Sequence, residues 1–300
     1  MKKLLIIFIA VLCLGGGLFA QQMKVYNNGE IDYVPLSAKF KLFGEDFESS
    51  LERLEYSING EPFKLYTGPI SLPAEGRYII AYRALDKTGN ISTEKVYSCI
   101  VDNTAPYGGV SAKGTAYVDG GVAYGRGDTA IAVWGEDLLS GVSAIYVNID
   151  NSGFVKHEGA SMVGYIHGEG KHKAEAYGVD NVGNKTLVYY AEGYIDNTAP
   201  RVEITPKEKF VTLQGENFTN RENTFSVSAY DNTSGVKELF ISIDGGDYFT
   251  YVDPIKIQWE GKHTIKAKAL DYLNNESSPL ELSFYVDVKI PRPTLEVNIE

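Results

Sequence analysis

The chain is poor in the residues that carry most protein chemistry. Its 300 residues include 2 cysteines, 4 histidines, 3 methionines and 2 tryptophans. Cys13 falls in an apolar leader, so the remainder keeps Cys99 alone and cannot form an internal disulfide. Each domain must then stand on its hydrophobic core. The histidines at 157, 167, 172 and 263 are too scattered for a metal or catalytic cluster. No H-E-x-x-H, G-x-S-x-G or phosphate-binding glycine loop occurs, so a non-enzymatic protein is expected. Helical period is missing over any useful length. Past the leader, nothing approaches the ~20 apolar residues of a membrane-spanning helix. Basic residues are also scarce. Without Lys2 and Lys3, 26 Lys and Arg face 39 Asp and Glu, a net charge of −13. Such a surface repels phosphate backbones and anionic lipid, which argues against nucleic acid as a partner.

What is present begins with "MKKLLIIFIAVLCLGGGLFAQQ", two lysines, an apolar run and small residues before Gln21. This is the pattern of a secretory signal peptide over 1–20, cut after Ala20. Cys13 offers a second reading as a lipoprotein cysteine, against which Leu12 is bulky where a small residue is wanted. The expected location is exported: periplasm, outer membrane or cell surface. Hydrophobic residues make up 44% and charged residues 22%, enough to bury real cores. Abundant Gly (31) and Tyr (21) in short punctuated runs suit an all-β chain.

The chain also repeats itself. "VDNTAP" ends at Pro106, "IDNTAP" at Pro200 and a blurred "VDVKIP" at Pro291, 94 and 91 residues apart. At the same spacings come "ALDKTGN", "GVDNVGN" and "ALDYLNN", with Asp86, Asp180 and Asp271. Ten residues earlier lie Glu75-Gly76, Glu169-Gly170 and Glu260-Gly261. Earlier still come "GEDFESSLERLEYSING", "GEDLLSGVSAIYVNIDN" and "AYDNTSGVKELFISIDG". A fixed period this long implies repeated domains. Leu54, Tyr56 and Ile58 alternate with polar residues, as do Ile145, Val147, Ile149 and Leu239, Ile241, Ile243, which predicts half-buried strands. Asn59-Gly60 and Asp244-Gly245 supply hairpin turns. His172 and His263 hold the place of Tyr78, which marks a packing position rather than a ligand. The expected fold is three tandem Ig-like β-sandwiches, 21–105, 106–199 and 200–290, with 291–300 as a tail or the first strand of a further repeat.

The ordered set Asp-x-x-Ser-Gly-Val, Ile-Asp-Gly, Gly-x-His-x-Ile, Ala-x-Asp-x-x-Gly-Asn and Asp-Asn-Thr-Ala-Pro resembles a bacterial Ig-like repeat. It is similar to the type found in spirochaetal surface and outer-membrane proteins, over residues from about 25 to 290. The first unit departs with Ser49-Ser50 for Ser-Gly, and the third with Asn274 for the turn glycine. The resemblance implies an extracytoplasmic sandwich, in tandem arrays on adhesins or appended to larger envelope proteins. It implies no reaction, because the fold hosts many functions.

In such a sandwich the loop after the second strand and the loop before the last strand lie at the entry end. Asp137 and Asp180 are therefore expected to approach Asp102 and Asn103, and Asp231 and Asp271 to approach Asp196 and Asn197. Converging carboxylate and amide oxygens suit calcium. The same residues suit turns that cap their own backbone N–H groups. Both readings stand at this point, and no other cofactor is implied. "GRGDT" places Arg126, Gly127 and Asp128 in an Arg-Gly-Asp tripeptide, which some adhesins present to integrins and which also arises by chance. The functional expectation is an adhesin or a module binding a protein or matrix macromolecule, with Tyr177, Tyr189 and Tyr190 as candidate contacts. The alternative is a structural spacer organising other envelope components. An outer-membrane β-barrel is disfavoured by outward faces carrying Lys and Glu. Nothing in the sequence sets an oligomeric state.

Overall fold

The computed structural model describes residues 8–11, 23–114, 116–127 and 129–297, with backbone alone at 8–11 and 116. Most of the expected leader, Cys13 included, lies outside the described residues, as do Asp128 and 298–300. The described residues form an all-β chain without a helix, its sheets arranged as sandwiches. No helix among them is long and apolar enough to cross a membrane. None of the described sheets closes on itself.

The repeat seen in sequence is a repeat in topology. In the first, six strands lie in the order Tyr26–Asn27, Asp32–Pro35, Lys95–Asp102, Gly76–Asp86, Leu51–Ile58, Lys64–Leu65. The third repeats that order with Val211–Leu213, Glu216–Asn220, Leu280–Asp287, Gly261–Asp271, Val236–Ile243, Phe249–Thr250. In the second it runs Ala116–Asp119, Val122–Gly125, Tyr189–Ile195, Gly170–Asp180, Val142–Ile149, Val155–Glu158. One parallel pair recurs in each, joining Pro35 to Asp102, Gly125 to Ile195 and Asn220 to Asp287. A smaller sheet faces each large one. In the third repeat it is Arg201–Pro206, Thr224–Tyr230 and Ile255–Lys256, and in the second Ser161–Tyr165, Ala130–Glu136 and Tyr107–Lys113. In the first, Lys39–Leu42 bridges to Ile70 and pairs with Phe8–Val11.

The alternating triplets line up as expected. Leu54, Tyr56 and Ile58 stand opposite Ala84, Tyr82 and Ile80. Ile145, Val147 and Ile149 stand opposite Gly178, Ala176 and Ala174, and Leu239, Ile241 and Ile243 opposite Ala269, Ala267 and Ile265. Ile145 and Ile241 are 1% and 2% exposed, which places them in the cores. The alternation fails at one position in all three repeats, and at Ala144 in the second as well. Ser57, Asn148 and Ser242, on the polar face, are buried too, because each side chain bonds the turn that follows. Ser57 Oγ donates to the Glu61 carbonyl, Gly153 N–H to Asn148 Oδ1 at 2.9 Å, and Ser242 Oγ to the Gly246 carbonyl at 2.6 Å.

By contact the chain divides into two compact units, one of Met1–Ala112, Ala130–Gly164 and Lys173–Ala191, the other of Lys113–Thr129, Tyr165–His172 and Glu192–Glu300. The joint between repeats one and two lies within the first unit, and the joint between repeats two and three within the second.

A single irregularity positions the loops at each joint. Leu51 pairs with Asp86, Val142 with Asp180 and Val236 with Asp271, and the register then shifts by a bulge. The shift sets the Asp-x-x-Ser-Gly loop beside the Asp-x-x-x-Asn loop. Gly141 and Gly235 take φ of 78° and 84° there. Ser50 holds 65° at the same place without a glycine, a conformation that costs an L residue about 1 kcal/mol. Ser50→Gly should therefore raise the denaturant midpoint of the first repeat, and an unchanged or lower midpoint would show that the serine is unstrained. Ile145→Asp and Ile241→Asp should each cost several kcal/mol, much of the roughly 5–15 kcal/mol that holds a domain. Hydrogen exchange should then show protection lost across the mutated sandwich and kept in the other, and wild-type protection in both variants would refute the face assignment.

Candidate functional site

Each linker is held from both sides. Behind it, Glu75 Oε2 accepts Asn103 N–H at 2.9 Å and the Thr104 hydroxyl at 2.7 Å. Glu169 repeats the clamp on Asn197 N–H at 2.9 Å and Thr198 Oγ1 at 3.1 Å. The Thr104 and Asn103 bonds hold the Glu75 carboxyl below its ordinary range. Ahead of it, Asp102 Oδ2 accepts Ser140 N–H at 3.0 Å, and Asp196 Oδ2 accepts Ser234 N–H at 2.9 Å. This answers what the repeated Asp-Asn-Thr does. Asn and Thr fasten the linker to the sandwich it leaves, and Asp reaches into the sandwich it enters.

The expected convergence is present at both joints. Carboxylate oxygens of Asp102, Asp137 and Asp180 lie within 4.8 Å of one another, and so do those of Asp196, Asp231 and Asp271. Asp102, Asp180, Asp196 and Asp271 are 0% exposed. Turn capping is present as well. Asp180 Oδ1 accepts N–H groups of Val182, Gly183 and Asn184 at 3.0, 2.6 and 2.8 Å. Asp271 Oδ1 accepts those of Leu273 and Asn275 at 2.8 and 2.7 Å. Asp137 Oδ1 takes Leu139 and Gly141 N–H at 3.1 and 2.7 Å, and Asp231 Oδ1 takes Thr233 and Gly235 at 3.0 and 2.8 Å. Capping uses one oxygen of each loop aspartate. Among the described residues no protein donor bonds Oδ2 of Asp137 or Asp231.

Asn103 and Asn197 do not take the expected place. Both are exposed, their N–H groups belong to the glutamate clamp, and Asn197 Oδ1 accepts Gly127 N–H at 2.6 Å. The amides that reach the aspartates are Asn184 and Asn275. Asn184 Nδ2 donates to Asp180 Oδ2 at 2.7 Å and to the Asp102 carbonyl at 3.2 Å. Asn275 Nδ2 donates to Asp271 Oδ2 at 2.6 Å and to the Asp196 carbonyl at 3.0 Å. Ser140 and Ser234 were also missed as site residues, although Asp-x-x-Ser recurs in all three repeats. The Arg-Gly-Asp segment turns inward in part. Arg126 Nη1 donates to the Leu273 carbonyl at 3.4 Å, Gly127 is tied to Asn197, and Asp128 lies outside the described residues.

The remaining candidates are structural. His263 is 4% exposed, with Nδ1 2.8 Å from Asp244 Oδ2 and Nε2 3.0 Å from the Trp259 carbonyl. Cys99 is fully buried, and burial pushes its thiol up to about 12. A narrow pocket beside Tyr107, Trp134, Tyr177 and Tyr189 has room for little more than a water molecule. Tyr177 stacks on Tyr146 at 4.7 Å with Lys185 Nζ 3.5 Å from its ring centroid, so its faces are already engaged, whereas Tyr190 is 68% exposed.

No family model matches the chain, and no curated protein matches it. Among solved structures, the fibronectin(III)-like modules of Clostridium thermocellum CbhA align at 14% identity over 57% of this chain and 94% of that one, with a TM-score of 0.31. A structure described by the host cell surface retention of a 1.5-MDa bacterial ice-binding adhesin aligns at 14% identity over 86% of this chain and 94% of its own, with a TM-score of 0.37. Latent PorU from Porphyromonas gingivalis aligns at 13% identity over 86% of this chain and 32% of that one, with a TM-score of 0.26. Values this low transfer no residue role to this chain.

Burial pushes the Asp180 carboxyl up to about 6 from the ordinary 3.8, with the Asp102 charge adding and its hydrogen bonds opposing. Burial likewise raises Asp137. The folded state thus holds the Asp180 proton more tightly than the unfolded chain. Its stabilising contribution is complete below pH 4 and is lost as pH rises through 6, a change on the order of 3 kcal/mol. In chelator, the first joint should soften between pH 4 and 6, and Asp180→Asn should flatten that slope. Thermal unfolding across this range checks it, and an equal slope in the variant would remove Asp180 as its source.

Proposed function

We propose that the chain is an exported, non-enzymatic envelope or surface protein whose tandem sandwiches are held at fixed joints, so that it spaces and presents other components. The observation carrying this is the recurrence, at both joints, of one frame: a linker whose Asn-Thr is fastened behind by glutamate and whose buried aspartate is fastened ahead by a Ser-Gly loop. Two joints built alike, from the same residue types at the same positions, suit a chain that must transmit position from one sandwich to the next. The clamps support boundaries near 105 and 199, since each linker leaves its strand after Asp102 or Ile195 and reaches the next repeat at Pro106 or Pro200. Proline and the extended residue it imposes before it keep the connection short and stiff.

The non-enzymatic part rests on where the perturbed groups sit. The raised carboxyls, Asp137 and Asp180, sit in the first joint, tied to backbone N–H groups, with no paired nucleophile and base facing a cleft among the described residues. A second reading, an adhesin for a protein or matrix macromolecule, is favoured by exposed aromatics, Tyr190 at 68% and Trp259 at 57%. Aromatic rings of this kind carry much of the contact energy in protein interfaces.

Intact cells treated with protease separate the readings. Digestion of the chain on intact cells supports surface presentation. Resistance until the outer membrane is opened supports a periplasmic spacer. Recovery from the cytoplasm with the leader uncleaved would overturn export and the function proposed with it.

A further inference from the structure

We propose that each joint is a calcium site in which the serine hydroxyl of the Ser-Gly loop joins the three carboxylates: Ser140 with Asp102, Asp137 and Asp180, and Ser234 with Asp196, Asp231 and Asp271. This rests on the joint geometry, and of the functional proposal it needs only that the joints are structural. Three carboxylates within 4.8 Å, two of them without exposure, repel one another strongly away from water. None of these six aspartates is in an ion pair with Lys or Arg among the described residues. Among the described residues, therefore, no Lys or Arg compensates these charges by direct pairing.

The second observation is independent of the carboxylates. Ser140 and Ser234 are 4% and 6% exposed, and the Oγ of each is buried without a hydrogen-bond partner. A buried hydroxyl with no partner costs free energy and calls for an explanation. The first repeat supplies it. There the equivalent Ser49 Oγ lies 2.7 Å from both Asp46 Oδ2 and Asp86 Oδ2, so a hydroxyl at this position reaches the carboxylates of both loops. That repeat has two carboxylates rather than three, and the serine hydroxyl alone links them. Where a linker aspartate adds the third carboxylate, the hydroxyl is released from its protein partners.

The donor set decides the ion. All candidate ligands are hard oxygens, with no imidazole or thiolate, which excludes a zinc-type site. Calcium accepts six to eight oxygens in loose geometry, which suits carboxylates already fixed by their caps. Magnesium demands a tight octahedron and keeps several waters, for which a buried triad leaves little room.

Isothermal titration of the chelator-treated full chain with calcium chloride tests this. Two sites per chain are expected, with magnesium at the same concentrations giving far weaker binding. Ser140→Ala and Ser234→Ala should each weaken one site by about tenfold, without lowering the unfolding midpoint in chelator. Asp46→Asn should leave both sites intact, because the first repeat has only the serine-linked pair. Absence of binding, three sites, equal magnesium affinity or unaltered binding in both serine variants would each overturn the assignment. The purified chain is used throughout, so failure here leaves the question of export untouched.

Discussion

The structure depends on one hydrogen bond made twice, from the Ser140 N–H to Asp102 and from the Ser234 N–H to Asp196. In each, the carboxylate belongs by chain to one sandwich and by bonding to the next. A buried carboxylate cannot drift from its partners, since leaving it unsatisfied costs more than almost any packing error. The linker therefore has one place to be. Glutamate behind, proline beyond and the bulge at Val142 or Val236 all serve to deliver that carboxylate to that N–H.

Comparison within the chain isolates what burial does. Asp86 and Asp180 hold the same sequence position and the same backbone frame. Asp86 Oδ1 accepts Thr88 and Asn90 N–H at 2.9 and 2.8 Å, much as Asp180 accepts from its own loop. Yet the Asn90 and Ser49 side-chain bonds pull Asp86 well below the ordinary range, while burial pushes Asp180 above it. Asp86 keeps a serine hydroxyl that Asp180 lacks, and Asp180 is buried beside the Asp102 charge, so the lost bond and the cover act in the same direction. At Asp180 the linker and its burial turn an ordinary turn cap into a group whose charge is costly.

The fold was legible because its signals are local and repeated. Alternation at Ile145, Val147 and Ile149, glycine at the hairpins, and a fixed period leave little room for another architecture. The triads were legible for the same reason, since only topology was needed to bring three recurring aspartates to one end. The amides were not. Asn103 and Asn197 sit next to the linker aspartates in sequence, but the residue after a strand end points away from its neighbour, and the clamp takes their N–H groups. Asn184 and Asn275 lie four residues beyond an aspartate, a spacing that marks a turn and gives no hint of reaching a linker. The buried serines were hidden differently: a hydroxyl that lacks a partner leaves no trace in sequence.

Polar bonding alone would leave each joint thin, and the chain adds an apolar plug beside it. Val182 and Leu273, two residues after Asp180 and Asp271, are 0% exposed. Their carbonyls accept Lys24 N–H and Arg126 Nη1 from the preceding repeat, at 3.1 and 3.4 Å. In the first repeat the same position is Thr88, which is exposed and bonds Asp86 instead. Three positions thus change together: the linker aspartate, the buried aliphatic and the released serine. Apolar contact contributes burial but little direction, whereas a carboxylate fixed by named donors contributes direction at a cost in desolvation. Each compensates for what the other lacks, which is why the joint positions vary as a set while every loop aspartate keeps at least the cap on the N–H two residues on.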